Sequence, residues 1–109
     1  MITVGNFIDE LKATNILEIA VFLHSWEQPA PIFLGENYLS EPLTENFVND
    51  LLDEIIIFTM FWLNGEKKPR MLEMICLSMN AVLKMVSDMA NKHITMNQVP
   101  QIPWEADSC

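Results

Sequence analysis

The chain has 109 residues, of which 50% are hydrophobic, so its composition is that of one small folded domain and excludes a disordered chain. Its longest apolar run without a charge, Ile55 to Leu63, is about half as long as a membrane span requires. The formal net charge of -9 disfavours nucleic acids and anionic membranes as partners and favours basic proteins.

The negative charge is concentrated in the first part of the chain. Residues 1–66 hold eleven acidic residues against Lys12 alone, a balance of -10. Residues 67–109 hold four acidic and five basic residues, a balance of +1. Any surface that binds a basic partner is therefore expected within the first 66 residues.

The number of cysteines helps to predict the cellular compartment of the protein. Cys76 and Cys109 are too few for the disulfide framework of a small secreted domain. The apolar neighbours of Cys76 favour a buried free thiol. The first ten residues carry two acids and no base, the reverse of a secretory leader. We therefore predict a cytoplasmic protein.

The first two predicted elements are helices. One is capped by Thr3 and ends near Ala13. Asn15, followed three residues later by Glu18, resembles a capping box and predicts a second helix over residues 16–27. The apolar residues there also alternate as in a strand, so a short two-stranded hairpin near residues 16–34 remains the alternative.

A loop is predicted for residues 28–41. Pro29 and Pro31 are expected to exclude a helix, because proline lacks an amide proton and restricts the residue before it. Residues 32–34 are therefore predicted to be a short extended segment that ends in a turn at Gly35.

A long central helix is predicted from Pro42 to Asn64. Its first half is amphipathic, whereas its second half, from Ile55 to Leu63, is apolar on every side. Gly65 follows the last apolar residue and is expected to end the helix in the left-handed conformation.

A second long helix is predicted from Pro69 to about His93, packed antiparallel to the central one. The aperiodic residues 94–109 are predicted to form an extended tail that packs on the body. The predicted fold is thus mainly α, a single small domain of three to four helices, with residues 1–93 as the helical domain.

The sequence lacks the patterns of a catalytic or metal site. His24, His93 and the cysteines are not at metal-ligand spacing, and three glycines are too few for a phosphate-binding loop. Adjacent carboxylates such as Asp53 and Glu54 suit a solvated helix surface better than an acid–base pair. We therefore predict no enzymatic activity, no metal and no cofactor.

Three functions fit these features. The first is an immunity protein or antitoxin that inhibits a basic, nuclease-like toxin by protein–protein contact. The second is an anti-defence protein of a phage or mobile element that mimics the charge of nucleic acid. The third is a helical chaperone or a dimeric interaction subunit, which the methionine-rich last helix favours.

The predicted partner-binding site is the acidic side of the central helix. Successive helical turns are expected to bring neighbouring carboxylates together, and such clusters cost stability unless they have a use. The candidate residues are Glu41, Glu45, Asp50, Asp53 and Glu54. A homodimer through apolar surface on the two long helices is a further expectation.

Overall fold

The computed structural model describes residues 1–104 and shows a body built from helices. Five α-helices and one 3-10 turn, Tyr38–Ser40, follow one another along this part of the chain. Their bounds are α1 Val4–Ala13, α2 Leu17–Trp26, α3 Ala30–Leu34, α4 Glu45–Gly65 and α5 Pro69–Asn91. The helix share is 69%, which confirms the predicted mainly helical single domain.

No strand occurs within residues 1–104, and the only β contact there is an isolated bridge between Thr3 and Pro42. The region in which the hairpin was an alternative forms α2 and α3 instead. Apolar residues at positions 19, 22 and 23 of α2 are buried, which is helical spacing, so tertiary packing resolves the ambiguity in favour of the helix.

Thr3 caps α1 as predicted. Its hydroxyl accepts the amide proton of Asn6 at 3.1 Å, and the Asn6 side chain accepts the amide proton of Thr3 at 3.2 Å. The capping box predicted for α2 is wrong: Ile16 is the residue before that helix, and no side chain caps it. Asn15 has φ 56°, a left-handed conformation that asparagine tolerates, and so turns the chain between the two helices.

The prediction that Pro29 and Pro31 exclude a helix is also wrong. Pro31 occupies the first turn of α3, where an amide proton has no partner within the helix in any case. The helix is only five residues long and is followed by Gly35, whose φ of 96° suits glycine. Residues 32–34 are therefore a helical segment on the surface and not an extended one.

The two long helices α4 and α5 are joined by three residues, Glu66–Lys68, and pack against each other. Thr44 caps α4 by accepting the amide proton of Phe47 at 3.2 Å. Gly65 is the last residue of α4 and not a left-handed cap, which corrects the prediction; the helix ends because Glu66 is extended. Buried apolar residues of both helices belong to one core with those of α1 and α2.

The segment between α3 and α4 is held against the start of α1. The Val4 amide donates to the Glu41 carbonyl oxygen at 2.8 Å. Gly5 faces the 3-10 turn so closely that a Cβ atom there would lie 3.0 Å from the Leu39 carbonyl oxygen. A side chain at position 5 would therefore crowd the turn, although the backbone conformation there does not itself demand glycine.

Residues 94–104 follow α5 without helix or strand and contact the body. Trp104 is 5% exposed, and its indole nitrogen donates to the Asn80 side-chain oxygen at 2.8 Å. The rest of the predicted tail, residues 105–109, lies outside the described residues. The boundary between a domain of residues 1–93 and a tail therefore stays a prediction.

Cys76 is buried in α5, as its apolar neighbours predicted, but it is not a free thiol, since residues 1–104 contain no free cysteine. Cys109 lies outside the described residues. The cysteines therefore give no support to a reducing compartment. Within residues 1–104 no helix is both long and apolar enough to cross a membrane.

Candidate functional site

Three of the predicted site residues lie together on the outer side of α4. Asp50, Asp53 and Glu54 are all exposed. Their spacing of three and four residues places them on successive turns of one helix face. The structure therefore presents these carboxylates as a single acidic group, which the helical periodicity alone had predicted.

An apolar cleft of about 490 Å³ lies beside this acidic group. It is lined by residues of α2, α3 and α4, and its lining includes the three carboxylates. The side chains that give it its apolar character are Trp26, Pro29, Phe33, Leu34, Phe47, Leu51 and Ile57. We call this site the acid-rimmed cleft.

Aromatic packing fixes one wall of the cleft. The Trp26 ring meets the Phe47 ring edge to face, with centroids 6.2 Å apart, and meets the Tyr38 ring in the same way at 5.8 Å. Such edge-to-face contacts hold the end of α2 against the start of α4. Phe33 on α3 also lines the cleft and is 80% exposed. The cleft thus combines packed aromatic rings with one exposed aromatic ring.

The remaining two predicted residues are separated from this group. Glu41 is exposed but precedes α4, and it lines a smaller neighbouring groove of about 210 Å³ that shares Leu34 and Phe47 with the cleft. Glu45 is half-buried, and its carboxylate accepts the amide protons of Asn97 and, at 3.1 Å, Gln98. Glu45 therefore binds the chain after α5, whereas Glu41 belongs to the neighbouring groove.

The cleft acids are not neutralised by the basic residues near them in sequence. In the part of the chain that the structure describes, an ion pair joins Lys12 to Glu27 at 2.8 Å, and the Nε2 atom of His93 is hydrogen-bonded to the Glu10 carboxylate at 2.9 Å. The hydrogen bond from Lys12 to Glu27 raises the pKa of the lysine above its ordinary value. Lys12 is the only lysine or arginine within residues 1–66, and it is bound to Glu27, which does not line the cleft.

A second groove, of about 530 Å³, lies between the start of α2 and the end of α4. Its lining is apolar apart from one carboxylate, and it consists of Leu17, Glu18, Val21, Phe58, Phe61 and Trp62. Phe61 is 75% exposed although it belongs to the run that was predicted to be apolar all round. The apolar end of α4 is therefore only partly covered by the rest of the chain.

The cleft offers carboxylates and apolar surface to a ligand. Its polar groups are three carboxylates, and no nucleophile, histidine or cysteine lines it. Among residues 1–104, no three side chains of histidine, cysteine, aspartate or glutamate come together as metal ligands would. Carboxylates at the edge of an apolar cleft suit the binding of lysine or arginine next to a large apolar side chain.

No protein-family model, curated protein or solved structure matches this chain. The site must therefore be interpreted from its own residues. Sequence periodicity located the acids, but it missed the aromatic side chains that complete the cleft. The available signal was the pair Pro29 and Pro31, which is compatible with a helix that starts at residue 30.

Proposed function

We propose that this protein is a non-enzymatic inhibitor that binds a basic protein, most simply an immunity protein or antitoxin that neutralises a nuclease-like toxin. The observation that carries the proposal is the acid-rimmed cleft. It places Asp50, Asp53 and Glu54 along one edge of an apolar site large enough to receive several side chains.

The two parts of the cleft contribute differently to binding. Unpaired surface carboxylates attract a basic partner over a distance and accelerate association. The apolar floor offers a desolvated pocket for an aromatic or aliphatic anchor, and such pockets contribute most of the affinity at protein interfaces. A nuclease must present positive charge to its substrate, so it would offer the lysine and arginine side chains that the rim attracts.

The acidic row is short for a nucleic-acid mimic. It occupies α4 from Asp50 to Glu54, after which the same face continues with apolar side chains. A mimic of a phosphate backbone requires charge repeated along an edge. We therefore place charge mimicry of nucleic acid second to protein inhibition.

One observation favours the interaction-subunit alternative. The second groove leaves Phe61 and the neighbouring apolar side chains exposed outside the acid-rimmed cleft. A chaperone or obligate subunit would use such a surface, and its complex would be less sensitive to salt than one formed mainly by charge.

The proposal is tested by affinity capture from the source cells at low and high salt, followed by kinetic binding measurements with the purified partner. One variant reverses three cleft acids, with Asp50→Lys, Asp53→Lys and Glu54→Lys. We expect association to slow by about tenfold or more at low salt, because the steering charge is inverted. The captured partner should be basic, and the wild-type protein should inhibit its nuclease activity at equal stoichiometry.

A matched control reverses three exposed acids elsewhere, with Asp9→Lys, Glu36→Lys and Asp88→Lys. It changes the net charge by the same amount and should retain most of the association rate. Phe33→Ala should leave the association rate intact and speed dissociation, since it removes an apolar contact. If the two triple variants behave alike, or if the partner is retained at high salt and is not basic, the proposed function is wrong.

A further inference from the structure

The outer face of α4 has two halves of different chemistry. The half nearer the start of the helix carries the exposed acids Asp50, Asp53 and Glu54. The half nearer the end carries Ile57, Met60 and Phe61, which are also exposed. The spacing of three and four residues continues unbroken across both halves, so they form one continuous strip along the helix.

Basic residues follow immediately beyond the apolar half. Lys67 and Lys68 are exposed in the link after α4, and Arg70 is exposed at the start of α5. Glu66 accepts the backbone amide protons of both lysines, at 3.0 and 3.1 Å. Because Glu66 is the only acid among residues 66–70, which include three bases, this segment has a formal charge of +2. Along the chain the order is therefore acidic, apolar and basic.

The apolar part of this surface is as large as the core of an ordinary protein interface. The exposed fractions of Phe61 and Trp62 are 75% and 40%, which corresponds to about 200 Å² of aromatic surface. Three exposed aliphatic neighbours bring the total to the order of 400 Å². They are Leu17, Val21 and Ile57. A standard interface buries about 800 Å² on each partner, of which somewhat more than half is apolar.

We propose that this surface binds a second copy of the chain in an antiparallel, two-fold symmetric arrangement. With the axis midway between Ile57 and Phe61, Ile57 of one copy faces Phe61 of the second. Asp50 lies about 14 Å from that midpoint along the helix. Lys68 is equally far away in sequence on the other side, in the link just beyond the end of α4. The antiparallel arrangement therefore brings the acids of each copy against the bases of the other, twice.

The charge pattern selects this occupant and this orientation. A parallel pairing would place acid against acid and base against base, which is repulsive at both ends. Another acidic protein would lack the matching basic end. The order acidic, apolar and basic is self-complementary only when it is read in opposite directions, which is the requirement of an isologous two-fold interface.

Self-association on this surface also covers the rim of the acid-rimmed cleft. A second copy and a basic partner would then compete for Asp50 and Asp53, so a captured partner would displace the second copy. The self-association itself is independent of the proposed function, since it is measured on the purified protein alone.

The experiment is sedimentation equilibrium of the full chain with two charge variants. One carries Asp50→Lys and Asp53→Lys, and the other carries Lys67→Glu and Lys68→Glu. We expect a dimer for the wild type and a dissociation constant at least about tenfold weaker for each variant, because each affected contact occurs twice. An equimolar mixture of the two variants should regain the dimer, since opposite charges face each other again.

Two further variants control the measurement. Phe61→Ser removes the apolar centre at an exposed position and should weaken the dimer by about tenfold or more without unfolding the chain. Reversal of Glu73 and Asp88, two exposed acids of α5, changes the charge equally and should leave the dimer intact. A strict monomer at high concentration, or charge variants whose mixture does not regain the dimer, would overturn the proposal.

Discussion

Replacing Trp104 by alanine tests whether the residues after α5 stabilise the helical body. The side chain is 5% exposed, although it lies in a segment without helix or strand. Its indole donates to the side-chain oxygen of Asn80 on α5, at 2.8 Å. The substitution therefore removes both apolar burial and a hydrogen bond.

The expected cost can be divided between these two contributions. Truncation of a buried tryptophan costs about 3–5 kcal/mol, because the cavity is only partly refilled. The hydrogen bond accounts for about 1 kcal/mol of this. Trp104→Phe should therefore cost much less than Trp104→Ala, and Asn80→Ala should cost little more when it is added to Trp104→Phe, since the shared bond is already lost.

The assay is urea unfolding followed by far-ultraviolet circular dichroism. With a slope of about 2 kcal/mol per M for a chain of this size, Trp104→Ala should lower the midpoint by about 2 M. Substitution of an exposed residue changes the free energy of unfolding by less than about 0.5 kcal/mol. If Trp104→Ala produced a change this small, the segment after α5 would not pack on the body, and the claim that Trp104 stabilises the fold would be wrong.

The other predictions concern the core, one buried phenol and two glycines. Ile56→Asp should prevent folding, because an unpaired charge would enter the core, and a soluble variant that melts cooperatively would contradict this. The pKa of Tyr38, the only tyrosine, is raised above 10.0 by burial, so a phenolate absorbance titration should give a higher value in the folded than in the unfolded chain. Its contribution to stability is present below the unfolded pKa and is lost as the pH rises through the folded pKa, so unfolding free energy should fall in that alkaline range. Gly5→Ala should destabilise by about 1–3 kcal/mol through overpacking, whereas Gly65→Ala, in open space at a helix end, should be neutral or stabilising by up to about 1 kcal/mol. Equal midpoints for the two glycine variants in thermal unfolding would show that the contact at Gly5 is not tight.

The sequence predicted the long helices better than the short elements. Thr3 capped its helix as expected, and the helix predicted over residues 42–64 matches α4 to within three residues at its start. Predictions from single prolines and glycines failed where the residue is compatible with two backbone conformations. Pro31 fits a first helical turn as well as a loop, and Gly65 ends α4 without entering the left-handed region. In each case contacts with the rest of the chain decide between local alternatives of similar free energy.

The relative positions of the acidic residues in the candidate site likewise follow from local helix geometry. Asp50, Asp53 and Glu54 share a face because an α-helix repeats every 3.6 residues, whatever surrounds it. The position of Glu45 was not determined in this way. Its carboxylate is bound to backbone amides at residues 97 and 98, more than fifty residues away in the chain.

The sequence by itself thus determined the long helices, the acidic face of α4 and the separation of negative from positive charge, because these depend on neighbours within a few residues. Only the tertiary structure decided that Trp26, Phe33 and Phe47 meet the acids in one cleft. Only it decided that Phe61 stays exposed while Trp104 is buried. Burial depends on which distant segments cover a side chain, and apolar residues have the same local pattern whether they are covered or not.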